Sequence, residues 1–325
     1  MTVSATTAQP AQGPEVSVVV ATRDREASLA VLLDALEHQT LARERFEVVV
    51  VDDGSRDGTA DLLAARPGVT VLRRAEAGGP AGAREAGWRA AGAPLIAFTD
   101  DDCRPEPEWL EAALDAARRA PGAFVQGRTR PEPADEPMLA RPRAYSIRVD
   151  SLGPFFETCN MVYPRTVLEH VGGFDEGIPT AGAEDTDLAL RALREGFQVV
   201  FAPDAVVNHA ITQPGVLKSV RGTIRWRTQV ELVKRHPQLR AAFPWRGRFW
   251  RETHARLLLA LAGLALTPVN RAFALWCLPY LSYRHGWSPR GLARTARELP
   301  GHVAVDGAEL AVLAAASARQ RFLFL

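Results

Sequence analysis

The feature that most constrains this chain is a set of short apolar runs that end at carboxylates. Val16 to Ala21 (VSVVVA), Phe46 to Val51 (FEVVVV) and Leu95 to Phe98 (LIAF) are nearly uninterrupted and mostly β-branched or aliphatic. Strands that read this way are buried on both faces, as in a parallel sheet covered by helices. Helical spacing fills the gaps between them. After ATRDR, Leu29, Leu32, Leu33 and Leu36 share one face of a helix running to about His38. After the GSRDGT turn, Asp57 is placed to cap a helix to about Ala65. Val69 to Leu72 predicts a third strand, and Gly78 to Ala91 a Gly/Ala-rich helix. Strand and helix in alternation predict a doubly wound, mostly parallel α/β sheet flanked by helices. In such a sheet Asp52 and Asp53, after the second strand, fall on the same edge as Asp100, Asp101 and Asp102, after the fourth.

Three adjacent acids at the end of a buried strand repel one another, so without a counter-charge at least one has its pKa raised. Two readings fit: a solvated acidic turn capping the next helix, or a site for a hard divalent cation such as Mg²⁺ or Mn²⁺ held together with substrate phosphates. Position favours the second, because open α/β sheets bind ligands beyond the carboxyl ends of their strands. Pro105 and Pro107 suit a loop and a first turn, and Trp109, Leu110, Ala113 and Ala116 recur at helical spacing. Asp53 offers an acceptor for a base or ribose beside a glycine that lets the backbone come close. In AGGPAGAR the glycines and Arg84 suit phosphate, or simple helix packing.

At 325 residues, 47% hydrophobic and 24% charged, the chain is long enough for one large α/β domain or two smaller ones. A formal net charge of +1 provides no basic field for nucleic acid. Cys103, Cys159 and Cys277 are far apart in sequence and fit no disulfide framework or zinc spacing, so a reducing compartment is expected. Residues 1–14 are small and polar, lack the features of a signal peptide, and predict a disordered tail.

Downstream, Phe124 and Val125 predict a fifth strand, TRPEPADEP a surface loop, and Phe155 to Tyr163 (FFETCNMVY) a further strand before a short helix opened by Pro164. A glycine-rich loop then leads to a helix carrying Leu188, Ala189, Ala192 and Leu193 that stops at Gly196. Glu184, Asp185 and Asp187 lie in its first turn, where negative charge is stabilised in any case. Phe197 to Phe201 and Val206 to His209 predict two more strands, the second ending in a histidine.

Seven stretches, VSVVVATRDR, VVVVDDGSRDGT, AGGPAGAREAG, IAFTDDDCRPEPEWL, ETCNMVYPR, VGGFDE and GAEDTDLALR, together resemble glycosyltransferase family 2 in order and spacing over roughly residues 15 to 210. The resemblance implies a GT-A (Rossmann-like) fold, with 15–128 as the nucleotide-sugar-binding half, 129–214 as the acceptor-binding and catalytic half, and 215–325 as a C-terminal helical region. It implies that Asp53 contacts the nucleotide base, with Thr22 and Arg25, and that Asp100 or Asp101 holds ribose. It makes the TDDDC acids a DxD-type motif with Asp102 as metal ligand and His209 as a further one. Asp185 is then the catalytic base and Glu184 its neighbour facing acceptor or loop. Two departures stand out. The first loop reads ATRDR where relatives often carry Tyr and Asn, and Glu85 follows Arg84 where Asn is usual, which leaves the phosphate role of Arg84 open.

The function this implies is inverting transfer of a sugar from a nucleotide-diphosphate sugar to an acceptor hydroxyl, with UDP-sugar expected ahead of GDP- or dTDP-sugar. The acceptor is a glycan, polysaccharide precursor, lipid-linked sugar or small molecule, chosen by loops near Thr129 to Ser151 and Gly177 to Gly182. Two rivals are a sugar nucleotidyltransferase, whose Gly-rich loop would follow the first strand, and a catalytically inactive GT-A-like membrane scaffold. Past Gly215, Val216 to about Arg235 reads as a basic amphipathic helix. The apolar stretch 257–283 is broken at Pro268, Asn270 and Arg271 into two arms of about a dozen residues, each about 20 Å long and short of a bilayer core of about 30 Å. With basic flanks and tryptophans, 245–290 suits a hairpin resting in a membrane interface, or ordinary packing on the catalytic domain. The expected location is cytoplasmic and peripheral, on the inner face of the cell membrane.

Overall fold

A computed structural model of the protein describes residues 13–178 and 182–325. Residues 1–12 of the expected tail, and 179–181 of the expected acceptor loop, lie outside the described residues. The chain divides into two compact units, the first formed by residues 1–137 and 146–211 and the second by 138–145 and 212–325.

The first unit is built on an eight-stranded mixed sheet in the order β3-β2-β1-β4-β7-β6-β8-β5. Strands β1 (Val16–Thr22), β2 (Phe46–Asp52), β3 (Val69–Arg73) and β4 (Leu95–Asp100) run parallel, as the alternation with helices α1 (Glu26–Glu37), α2 (Thr59–Ala64) and α3 (Gly79–Ala90) demands. Registration puts Ala21 beside Asp100 and Thr22 beside Asp52, so the acids of both strands do share one edge. Val18, Val19, Val20, Val49, Val50, Val51, Ile96, Ala97 and Phe98 have no exposed surface. The exception is β3, which lies at the edge and keeps much of its surface exposed rather than being covered on both faces.

The remaining strands depart from the parallel pattern. Cys103–Pro105, expected as loop, is a short strand β5 that pairs antiparallel with β8 and sets Cys103 opposite His209. Helix α4 (Trp109–Arg119) follows, then β6 (Phe124–Pro131). The strand expected over Phe155 to Tyr163 contracts to β7 (Met161–Pro164), preceded by a 3-10 turn over Thr158–Asn160. Asn160 explains the break. Buried in the turn, its Oδ1 accepts from Trp109 Nε1 at 2.8 Å and its Nδ2 donates to the carbonyls of Arg128 and Ala205, both at 2.8 Å. After α5 (Arg165–Val171) and α6 (Glu184–Arg194), the two strands expected near 197–209 are one strand, β8 (Val199–His209), with an irregularity opposite Gly127 and Arg128.

The second unit is helical: α7 (Val216–Gly222), α8 (Arg227–Arg235), the four-residue turn α9 (Pro244–Gly247), α10 (Glu252–Leu266), α11 (Leu278–Ser282) and α12 (Pro289–Gln320). The single amphipathic helix expected over 216–235 is interrupted by a 3-10 segment at Thr223–Trp226, where the Thr223 hydroxyl donates to the Val220 carbonyl at 2.7 Å. The apolar stretch does fold back on itself. After α10, Asn270 caps a 3-10 segment (Arg271–Cys277) that leads into α11, so the second arm is not one regular helix. Gly263 makes the fold-back close, because a Cβ there would lie 2.5 Å from the Phe273 carbonyl. Among the described residues one helix, α12, is long and apolar enough to cross a membrane by length and composition.

Replacing Asn160 by Leu strands a buried indole N–H and two carbonyls at once. We expect a loss of roughly 2–5 kcal/mol in chemical unfolding, with the slope unchanged. A variant as stable as the native protein would show that water satisfies those groups.

Candidate active site

The carboxyl ends of β1, β2 and β4 deliver their side chains to a single edge. Asp52 serves the loop itself: its Oδ1 accepts from the Ser55 amide at 2.8 Å. Asp53 is bound to the start of α3, accepting from the amides of Gly78 and Gly79 at 3.0 and 2.9 Å, with Arg74 Nη1 3.4 Å away. The DDGS carboxylate and the glycine-rich turn are therefore one structure rather than two neighbouring motifs. Asp24, in the left-handed region at φ 51°, stitches this edge further by accepting from the Arg56 amide at 2.7 Å.

The three acids after β4 divide their tasks. Asp101 is buried, and Thr22 Oγ1 donates to it at 2.8 Å. Burial pushes its carboxyl up to about 7, against the pull of Thr22 and Arg25. Asp102 stands between two partners, with Arg25 Nη1 3.4 Å from its Oδ2 and His209 Nε2 3.5 Å from its Oδ1. His209 is buried, and its Nδ1 lies 2.9 Å from the Ala210 carbonyl. With the Nδ1 proton on that carbonyl, the Nε2 lone pair faces a carboxylate oxygen, a pairing of two acceptors that a cation satisfies. Asp102 and His209 thus have the donor chemistry for a divalent ion. Cys103 comes within the same cluster, and burial pushes its thiol well above the ordinary range.

Arg84 joins this edge to α6. Its Nη2 donates to Asp100 Oδ1 and its Nη1 to Glu184 Oε1, both at 2.7 Å, in a place where the guanidinium is almost wholly buried. Glu184 is equally engaged. Its Oε2 accepts from the amides of Gly182 and Ala183 at 2.8 and 3.0 Å, fixing the start of α6. Beside it half-buried Asp185 accepts, among the described residues, local bonds from the Thr186 amide at 2.7 Å and, longer, from the Thr186 hydroxyl. Desolvation first, then the Glu184 charge, push Asp185 up to about 8, while Arg84 pulls it down. Glu157 raises it further and is itself pushed up by burial.

The ten residues expected at the site therefore lie at the carboxyl edge of the sheet or on the helices α3 and α6 beside it. Sequence reasoning missed Glu157 and Asp24, and it noted Glu85 only as a departure from the family pattern. Glu85 is buried, and it accepts from Trp88 Nε1 at 2.6 Å and from the Phe174 amide at 2.8 Å, so it holds the VGGF loop. Asp187 holds the other side of that loop through Arg191, whose Nε donates to it at 2.8 Å while its Nη groups reach the Val171 and Gly173 carbonyls.

Comparison with known proteins bears on the family and the fold. The family described as Glycosyl transferase family 2 matches residues 17–172, and Glycosyl transferase family group 2 matches 95–284. The chain belongs to the family 2 glycosyltransferases. Validoxylamine A glucosyltransferase from Streptomyces hygroscopicus subsp. limoneus is 30% identical over 229 residues, which are 59% of this chain and 51% of that relative. The chain thus spans about half the length of that curated relative. Among solved structures, a mannosyltransferase from Pyrobaculum calidifontis in complex with GDP-Man and Mn²⁺ superposes with a TM-score of 0.58 at 23% identity, covering 96% of this chain and 88% of that one. TarS 1-349 of S. aureus in complex with UDP superposes with a TM-score of 0.55 at 15% identity, over 94% and 92%. The fold is GT-A, and a sugar nucleotidyltransferase or an inactive scaffold is not favoured.

The raised carboxyl of Asp185 carries a stability consequence with a definite sign. A carboxyl lifted from 3.8 to about 8 binds its proton more tightly in the folded chain. Its contribution is complete below about pH 4 and is lost as pH rises toward 8. Asp185→Asn should therefore raise stability at pH 8 relative to pH 5, by roughly 1–3 kcal/mol, in parallel urea titrations. An equal effect at both pH values would place the ionisation of Asp185 in the ordinary range.

Proposed function

We propose that the protein is a metal-dependent inverting glycosyltransferase that moves a sugar from a nucleotide-diphosphate sugar to an acceptor hydroxyl. The observation that carries this is the bridge from Asp100 through Arg84 to Glu184, which sets the half-buried, high-pKa carboxyl of Asp185 against the acids after β4. In this reading Asp53, Thr22 and Arg25 receive the nucleotide, with Asp100 or Asp101 on the ribose. Asp102 and His209 hold Mg²⁺ or Mn²⁺, whose charge would neutralise the departing diphosphate. Asp185 takes the proton of the acceptor hydroxyl as that oxygen attacks the anomeric carbon from the side opposite the leaving group. Glu184, spoken for by Arg84 and two amides, positions Asp185 by fixing the first turn of α6. Arg84 keeps both carboxylates in place and adds positive potential on the leaving-group side.

The GDP-Man, UDP and Mn²⁺ of the similar structures support a nucleotide-sugar donor and a metal, with the base left to the ATRDR loop that differs from relatives. A glycan, lipid-linked or small-molecule acceptor fits, the glucosyltransferase relative being named for a small molecule. We further propose a cytoplasmic protein resting peripherally on the membrane through 245–290. Leu261, Leu264, Val269 and Leu275 on the fold-back are each at least half exposed, with Val269 at 79%. Exposed apolar side chains concentrated on one fold-back suit a contact surface.

Asp185→Asn should lower the transfer rate by about 10²- to 10⁴-fold while leaving donor affinity nearly intact, whereas Asp102→Ala should weaken Mn²⁺-dependent donor binding. Equal transfer rates for Asp185→Asn and the native enzyme would end the base assignment. For the membrane contact, Leu261→Ser with Leu264→Ser in the full chain should reduce co-sedimentation with anionic vesicles by at least about fivefold. Unchanged sedimentation would move the contact elsewhere.

A further inference from the structure

We propose that His285, Glu298 and His302, all within the helical unit, form a second metal site that takes a borderline transition-metal ion such as Zn²⁺. Glu298 and His302 are four residues apart on α12 and so project from the same face. His285 comes from the turn between α11 and α12. The three ligand atoms all lie within 4.8 Å of one another. Glu298 Oε2 is 3.3 Å from His285 Nε2 and 3.7 Å from His302 Nε2. Donor atoms about 2.1 Å from a tetrahedral ion sit roughly 3.4 Å apart, so these separations need little adjustment.

The bonding of these atoms points the same way. Glu298 Oε2 and His285 Nε2 are both buried, and neither has a hydrogen-bond partner even though they face each other. Buried polar atoms left without partners are rare, and a shared cation is one of the few groups that satisfies a carboxylate and an imidazole together. The other carboxylate oxygen is occupied: Arg294 Nε and Arg297 Nη2 donate to Oε1 at 3.0 and 3.4 Å. Those arginines oppose a cation, but Arg297 is 74% exposed and its charge is screened. The turn carrying His285 is held in register by Ser288, whose Oγ accepts from the Gly291 amide at 3.0 Å, and by Thr295 Oγ1 donating to the Leu281 carbonyl at 3.3 Å. Two imidazoles and one carboxylate suit zinc and its neighbours rather than the oxygen-seeking Mg²⁺. A comparable buried group, His254, Asp306 and Glu309, lacks this character. There Glu309 is bonded to His254 and Trp226, and Asp306 to Tyr280 and Arg284.

The site would pin the turn after α11 to α12 and so brace the helical unit. The test uses the full chain, freed of metal by a chelator and titrated calorimetrically with Zn²⁺ in excess Mg²⁺. Asp102→Asn serves as the background that weakens binding at the carboxylate cleft. This background should bind one Zn²⁺ per chain and melt at a higher temperature with it. Adding His285→Gln or His302→Gln should weaken that binding at least about tenfold and remove the melting shift. His285→Gln lies in a turn outside the helices, so it decides the matter if His302→Gln fails to fold. Failure of the background to take up Zn²⁺, or binding unchanged by His285→Gln, would overturn the site without touching the transferase reading.

Discussion

The Arg84 guanidinium, buried between Asp100 and Glu184, is the interaction on which the architecture of the cleft depends. Taking an arginine and two carboxylates out of water is costly unless every charge finds a partner at close range. Here both Nη groups are used, and the second oxygen of Glu184 is spent on the backbone at the start of α6. The result is positional rather than a large gain in stability. The end of a strand and the start of a helix far along the chain are held in one geometry, and Asp185 inherits its place from that bond.

The frame around this bridge was legible because it is local. Val16 to Ala21, Phe46 to Val51 and Leu95 to Phe98 declare buried parallel strands by composition, and parallel strands force their following acids to one edge. What the sequence conceals is pairing between distant segments. The position of His209 beside Asp102 depends on Cys103–Pro105 joining β8 as an antiparallel strand, and a three-residue segment containing a proline carries no periodic signal. The strand expected at Phe155 fails for a similar reason. Asn160 sits inside that apolar run, and its three buried hydrogen bonds to Trp109, Arg128 and Ala205 require a turn there. The exposure of β3 follows from its place at the sheet edge, which composition does not disclose.

Individual roles were less legible than membership of the site. Glu184 and Asp185 are adjacent acids in the same helical turn, and nothing in EDTD separates them. The separation comes from the partners: Glu184 is saturated by a guanidinium and two amides, whereas among the described residues Asp185 has its own turn and Arg84 at a distance. That difference in surroundings ties Glu184 to the frame and raises the Asp185 carboxyl, which is the contrast the proposed division of roles rests on. Asp53 shows the converse. It was read as a ligand for a nucleotide, and in the structure it already caps the glycine-rich turn at Gly78 and Gly79, so any nucleotide it met would touch a preorganised loop.

Charge balance across the cleft ties these points to the order in which ligands arrive. Asp100, Asp101, Asp102, Glu184 and Asp185 face Arg84 and Arg25, an excess of carboxylates that the fold relieves by raising Asp101 to about 7 and Asp185 to about 8. A diphosphate entering alone would meet that negative edge and be repelled. On the proposed reading, the divalent cation that Asp102 and His209 would hold adds positive potential beside these carboxyls and favours their ionised forms. On that reading Asp185 ionises more readily with the cation in place, which would couple the proposed proton acceptor to donor binding.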